Sequence, residues 1–366
     1  MLYVNTQGAV IGIRGGALVV KRQGAVVRVV PMEPLVSIML FGNIQLTTQA
    51  MQRLLDAGID VVFLSSTGRW RGRLIGDHSR NVFVRLAQYE AFRSHQRRLE
   101  LSRGFLEVKI GAQLRWLQQT IHNANRHDGR DSDVDEFVQL PTWNRPFDFG
   151  MRKADQEYDS DGEESIGIDR GDCFRAAVVN LREFQSEIVH THSFSSLMGI
   201  EGAAAACYFG TWDCYLARTG FQFVKRSRRP ARNPINALLN LGYMMVLSEV
   251  ERELIAAGFD PMVGFLHGVT YGRSSLALDV LEQYRTDLVD RLVLRLVVRR
   301  EVTPAHFETS GGADVRLSAE GWRVWLKAYE TRMEEARPAL RRDIYRLREG
   351  ILGAPGGADK VANAVE

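Results

Sequence analysis

Three short stretches of the sequence combine side chains that can hold charge or a metal with local signals that would fix them in place. The first is Met198-Gly-Ile-Glu201-Gly-Ala-Ala-Ala-Ala-Cys207, an acid at the start of a helix built from glycine and alanine. Small side chains let neighbouring helices approach, and a carboxylate drawn into a packed interior needs a counter-charge or a metal ion. A first-turn glutamate favoured by the helix dipole fits the same residues. The second is Asp260-Pro-Met-Val-Gly-Phe-Leu-His267-Gly, an apolar segment ending in a histidine flanked by glycine. Such a histidine is more often a hydrogen-bonded core residue. As a ligand it would bind through a neutral ring nitrogen, its other N–H held by an acceptor behind it. The third is Gly272-Arg-Ser-Ser-Leu-Ala-Leu-Asp279-Val-Leu-Glu282-Gln-Tyr-Arg285. Ser274 or Ser275 can cap a helix in which Asp279 and Glu282, three apart, share a face. A cation beside them would relieve their repulsion. A solvated acidic face is the plainer account, weakened by the apolar Leu276, Leu278, Val280 and Leu281 around them.

Carboxylates and one imidazole suit Mn²⁺ or Mg²⁺ better than a structural zinc site. Such a cation can activate a hydroxyl nucleophile and stabilise charge on a phosphodiester. The substrate side comes from Lys225-Arg226-Ser-Arg228-Arg229-Pro-Ala-Arg232, which runs into Asn233-Pro234, an N-cap and first-turn proline opening an apolar helix. A basic run is usually solvated surface. Lying between two candidate ligands, this one reads as a strip that grips phosphate, with Arg273 and Arg285 as further candidates. Phe221, Phe223 and Tyr243 nearby either pack or stack. Competing motifs fail. Asp131-Ser-Asp133-Val-Asp135 begins like a calcium loop, but Glu136 replaces the needed glycine and Thr142 the bidentate acid. No phosphate-binding loop, zinc-protease helix or serine-hydrolase elbow is present.

These residues need elements to carry them. Up to residue 76 the pattern is mostly β. Ala9–Ile13, Ala17–Val20, Ala25–Val30, Leu35–Phe41, Asp60–Leu64 and Trp70–Ile75 read as strands, and a helix capped by Thr47 or Thr48 stops at Gly58. They predict a small sheet with one helix laid on it. From Ser79 the period becomes helical, predicting helices near 80–101, 104–122, 174–190, 195–218, 234–257, 275–298 and 318–349. Asn123–Asp172 is polar and acidic and reads as a loop or disordered insertion, and the tail from Gly350 as frayed.

Composition narrows the classes. A chain of 366 residues suggests two domains. No apolar run is long enough to span a membrane and no secretory pattern opens the sequence, so the expected compartment is the cytosol. Three cysteines, Cys173, Cys207 and Cys214, read as idle thiols rather than a disulfide or zinc framework. The net charge of +3 averages unlike parts. Asp128–Asp172 is acidic by roughly three to one, and the arginine-rich remainder suits a phosphate-rich partner.

In order and wording, several motifs resemble the CRISPR-associated integrase, the endonuclease of spacer-acquisition modules. They are Phe41-Gly-Asn43, Gly58-Ile-Asp-Val-Val-Phe-Leu-Ser65, Arg85-Leu-Ala-Gln88, Lys109-Ile-Gly-Ala-Gln113 and Gly199-Ile-Glu201-Gly-Ala-Ala. Arg228-Arg-Pro, Asn236-Ala-Leu-Leu, Gly242-Tyr243, Gly264-Phe-Leu-His267, Ser275-Leu-Ala-Leu-Asp279-Val-Leu-Glu282, Val315–Gly321 and Tyr329 follow. The resemblance implies an α+β fold, with a β domain over 1–76 that pairs into a homodimer and an α-helical catalytic domain over 77–349. The acidic insertion at about 123–172 and the tail at 350–366 lie outside that pattern. It implies Glu201, His267 and Glu282 as metal ligands, with Asp279 as the adjacent acid. Glu282 is a departure, since some members carry Asp there. The implied reaction is attack of a protospacer 3′-hydroxyl on a phosphodiester of double-stranded DNA at the repeat boundary, with nonspecific cutting by the same site. The implied assembly is two dimers around a dimer of a small companion protein. A noncatalytic DNA-end scaffold and a standalone nuclease acting on branched DNA are the rival expectations.

Overall fold

The computed structural model describes residues 1–76, 81–126, 170–217, 219–227, 231–310 and 314–353. Its N-terminal part holds β1 (Leu2–Val4), β2 (Ala9–Arg14), β3 (Ala17–Arg22), β4 (Ala25–Pro31), β5 (Ser37–Phe41), β6 (Gln45–Leu46), α1 (Thr48–Asp56), β7 (Asp60–Leu64) and β8 (Trp70–Leu74). These make two four-stranded sheets where one small sheet was expected, in the orders β1-β5-β7-β8 and β4-β3-β2-β6. The missed strands are β1 and β6, too short to show a period, which pair parallel to β5 and β2 respectively. Gly15 and Gly16 both take positive φ, the turn that lets β2 fold back on β3 in register.

Strand β5 explains how this region meets the rest of the chain. All five of its residues are buried, so both faces of its sheet are covered. Ile38 and Leu40 join Val61, Ile11 and Val20 in a core between the sheets. Met39 and Phe41 join Val62 and Leu64 in the core of the helical region. The boundary near residue 76 is thus a turn in the chain, with no gap in the packing.

The helical region comprises α2 (Val82–Arg93), α3 (His95–Arg126), α4 (Arg170–His190), α5 (Phe194–Gly210), α6 (Trp212–Leu216), α7 (Pro234–Ala257), α8 (Ser275–Tyr284), α9 (Arg291–Val298) and α10 (Ala319–Leu352). It is not all-α: β9 (Phe307–Ser310) and β10 (Asp314–Leu317) form an antiparallel hairpin. The break expected near residue 102 falls at Ser94, whose hydroxyl accepts from the N–H of Arg97. The single helix expected over 275–298 is split by a π-helical segment, Arg285–Asp290. Asn233 does cap α7, accepting from the N–H of Asn236 at 2.8 Å with Pro234 behind it.

Helices α3 and α4 take in the two edges of the acidic stretch, and 127–169 lies outside the described residues. Helix α10 likewise extends into the expected tail, through Leu352. The sulfurs of Cys173 and Cys214 lie against each other where idle thiols were expected, while Cys207 is free. Among the described residues no helix is long and apolar enough to cross a membrane.

Candidate metal centre

Helices α3, α5 and α8, with the loop that precedes α8, bring the candidate ligands together. Glu201 lies in the middle of α5, with Phe194 as its first helical residue, so the first-turn account does not hold. Glu282 lies in the last turn of α8, its side chain only 1% exposed. His267 is held on the connecting loop. Arg98 Nε donates to the carbonyl of Phe265 and Arg273 Nη2 to that of His267, while Gln88 grips the carbonyls of Asp260 and Val263. A Cβ at Gly264 would stand 2.5 Å from the backbone carbon of Ser275, so only glycine lets this loop lie so close to the start of α8.

Asp279 faces the loop rather than sharing an ion with Glu282. Its Oδ2 accepts from the N–H groups of Phe265 and Leu266, and its Oδ1 from the N–H of His267. Oδ1 also lies 2.6 Å from His267 Nδ1. A carboxylate can only accept, so Nδ1 carries a proton, and the tautomer this selects is the one whose neutral ring presents the lone pair of Nε2. That nitrogen lies 4.0 Å from Glu282 Oε1.

Between the two glutamates stands a residue that sequence reasoning missed. Lys109, on α3, contacts Glu201 Oε1 with its ammonium and lies 2.8 Å from Glu282 Oε2. Arg285 pairs with Glu282 Oε1 at 3.0 Å. Burial alone would push the Glu282 carboxyl up, but Arg285 and Lys109 overcome it and hold the group down at about 2. Among the described residues no three His, Cys, Asp or Glu side chains already close on one ion position. The space between Glu201 and Glu282 is filled by ammonium, a cation in its own right.

The basic run divides. Lys225 and Arg232 are exposed, and Arg228 and Arg229 lie outside the described residues. Arg226 turns inward to the side chains of Asn236 at 2.9 Å and Asn240 at 2.7 Å. Its guanidinium and that of Arg285 both lie over the ring of Tyr243, at 5.2 and 4.9 Å, so the run and the candidate ligands meet through one aromatic ring. Phe221 and Phe223 are buried packing residues, Phe223 against Trp212.

The flank of α5 beside Glu201 is open. Gly199, Gly202 and Ala203 are exposed, and a Cβ at Gly199 or Gly202 would meet nothing within 4 Å. These glycines therefore do not serve close helix packing, as the sequence suggested. They leave bare backbone next to a carboxylate.

Comparison with known proteins gives a consistent answer. The family model described as CRISPR associated protein Cas1 matches residues 2–140 and 151–331. It leaves out only ten residues of the acidic stretch, where the sequence reading expected no counterpart. A protein of Thermus thermophilus named CRISPR-associated endonuclease Cas1 3 is 32% identical over 92% of this chain and 85% of its own length. Among solved structures, a Cas6-RT-Cas1–Cas2 complex matches with a TM-score of 0.74 and 22% identity, over 96% of this chain and 34% of that one. A casposase bound to integration product matches with a TM-score of 0.71 and 19% identity, over 98% of this chain and 90% of that one. The two structures show the shared fold, and the family model and the Thermus relative show the lineage: the chain belongs to the Cas1 family of CRISPR-associated endonucleases.

Proposed function

We propose that this chain is a divalent-metal-dependent DNA integrase and nuclease, joining a 3′-hydroxyl to a phosphodiester of a repeat array. The observation that carries this reading is that Glu201 and Glu282 meet around one positive charge, the Lys109 ammonium, with His267 Nε2 4.0 Å from Glu282. The donors fit. Two carboxylates and one imidazole are ligands that Mn²⁺ or Mg²⁺ accepts, and a 4.0 Å spacing between two of them is within reach of one ion at about 2.1 Å from each. When bound, the ion supplies Lewis acidity at a phosphodiester oxygen.

The protein's own groups do the rest. Asp279 fixes the tautomer and aim of His267, and Arg285 fixes Glu282. The bare backbone at Gly199 and Gly202 lets a phosphodiester approach Glu201 without meeting a side chain. Lys225 and Arg232, exposed on the near approach to α7, contribute salt-dependent phosphate affinity. Arg226, Arg273 and Arg285 act as braces, since each is turned onto protein partners.

The assembly follows the same reading. Strand β4 ends its sheet, and Val26, Val27 and Val29 on it are more than half exposed. An apolar edge of that kind is suited to pairing with a second copy, giving a homodimer through the β domains. A small companion protein, as in the Cas1–Cas2 complex of the same fold, would bridge two such dimers on double-stranded DNA in the cytosol.

The test is strand transfer of a labelled duplex with free 3′-hydroxyls into repeat-bearing DNA, in Mn²⁺ or Mg²⁺, with and without the companion. The expected result is metal-dependent joined product that disappears in Glu201→Ala and His267→Ala. Cutting without joining would favour the branched-DNA nuclease, and DNA binding with neither activity the noncatalytic scaffold.

A further inference from the structure

Lys109 is the buried one among the described lysines, with 5% of its side chain exposed. Its ammonium meets two carboxylates that arrive from different helices, Glu201 from α5 and Glu282 from α8. Without a positive charge between them, two acids brought so close inside the protein would repel strongly. Their charges are balanced by Lys109 and by Arg285, which pairs with Glu282 at 3.0 Å. Two acids and two bases therefore make a neutral cluster, with His267 Nε2 at its edge, 4.0 Å from Glu282.

A divalent cation entering this cluster would have to lie about 2.0–2.2 Å from each oxygen it binds. The Lys109 ammonium already stands within contact of the same two carboxylates. Both cannot occupy that space, and adding two positive charges to a neutral cluster would leave it overcharged. Arg285 cannot give way as readily, because its guanidinium is also packed over Tyr243. The lysine ends a flexible four-carbon stem and can.

We propose that Lys109 is a resident counter-cation, a positioning residue that holds Glu201 and Glu282 together before metal arrives and is expelled when metal enters. Loading is then an exchange of one cation for another. The site is pre-assembled at the cost of weaker metal affinity, since every incoming ion competes with a tethered ammonium.

The inference rests on the metal reading above, and its test separates the two. Metal-stripped full-length protein is treated with a lysine-acylating reagent with and without Mn²⁺, and modification of Lys109 is followed by peptide mass spectrometry. Mn²⁺ uptake is measured in parallel by titration calorimetry. The expected result is that Lys109 is protected without metal and modified at least fivefold faster with it. Lys109→Met, which keeps the length and removes the charge, should melt at a lower temperature in chelator and bind Mn²⁺ at least tenfold more tightly. Lys109→Arg should keep the metal-free melting temperature. Wild-type protein that binds Mn²⁺ with Lys109 reactivity unchanged overturns the exchange alone, as does unchanged or weaker Mn²⁺ affinity in Lys109→Met. Wild-type protein that takes up no Mn²⁺ overturns the metal reading and the exchange with it. Should Lys109→Met fail to fold, the labelling experiment on the wild type still decides.

Discussion

Replacing Asp279 with asparagine changes one atom and is expected to disable the site without unfolding the chain. The two oxygens of Asp279 accept from four N–H groups: the backbones of Phe265, Leu266 and His267, and the His267 ring. Asparagine offers one acceptor oxygen and an NH₂ that can only donate. Whichever way the amide turns, its NH₂ faces two groups that were donors. The oxygen stays on Phe265 and Leu266, because backbone amides cannot change what they offer. The histidine can: its proton moves to Nε2, and Nδ1 accepts from the amide. The backbone N–H of His267 is then left unpaired, which costs about 1–3 kcal/mol, and loss of charge assistance at the other bonds adds a similar amount. A total of about 2–6 kcal/mol lies below the stability of most domains, ~5–15 kcal/mol, so the variant folds with a lower Tm. Its proton on Nε2, however, removes the lone pair that a metal would use. Calorimetry should show Mn²⁺ affinity reduced about 10- to 100-fold, the range for losing a partner that orients a ligand. Nitrogen NMR of histidine-labelled protein should show the ring proton moved from Nδ1 to Nε2. Affinity within threefold of the wild type, or a proton still on Nδ1, would refute the argument.

Three further outcomes follow from other parts of the structure. Burial raises the Asp290 carboxyl to about 7, against the pull of the Tyr243 hydroxyl and of Arg285 and Arg226. Its stabilising protonated form is fully present below about 4 and is lost as pH rises through 7, a loss on the order of 4 kcal/mol. Asp290→Asn mimics that protonated form, so its melting temperature should exceed the wild type's at pH 8 and converge with it at pH 4. Gly264→Ala would place a Cβ 2.5 Å from the Ser275 carbonyl carbon and 2.8 Å from Leu276 N, both backbone atoms that cannot swing aside. It should cost about 3 kcal/mol or more in urea unfolding, and wild-type stability would show that the loop relaxes freely. Arg337→Met removes the partner of Glu249, whose side chain is wholly buried, and of Glu330 and the Tyr3 hydroxyl. An uncompensated buried charge of this kind costs about 3–5 kcal/mol, measurable by the same unfolding, and a change below about 1 kcal/mol would show Glu249 to be compensated otherwise.

Much of this arrangement could be read from residue order. The single pair Gly15-Gly16 between two strand-like runs signals the hairpin of β2 and β3, Asn233-Pro234 marked the start of α7, and the three-residue spacing of Asp279 and Glu282 put both near the site. The missing elements have physical reasons. Helix α3 passes through Gly104 because a glycine there meets no neighbour and is not needed as a stop. The π-helical segment after Tyr284 keeps the apolar pattern running, so no period change announces it. Strands β9 and β10 are four residues each, too short for alternation to register. Lys109 was legible in principle. It falls four residues after Phe105 and seven before Trp116, on the buried stripe of α3, and a lysine on such a stripe requires an acid from elsewhere. Which acid depends on helix packing, and spacing along the chain does not contain that. The inward turn of Arg226 was hidden for the same reason: its receptors, Asn236 and Asn240, are one turn apart on a helix whose facing was unknown.

Strand β5 serves two cores at once, with Ile38 and Leu40 in one and Met39 and Phe41 in the other. The first 76 residues are consequently not a detachable module, however separate their sequence pattern looks. A fragment cut after β8 would bare Met39, Phe41, Val62 and Leu64 to water, and the complementary fragment would lose the lid over Trp322, which packs on Phe41 at 4.7 Å. Exchange of the N-terminal segment between relatives must therefore carry the facing residues of α10 with it. In such chimaeras the seam that matters runs through the middle of a sheet, far from the place where the chain changes character.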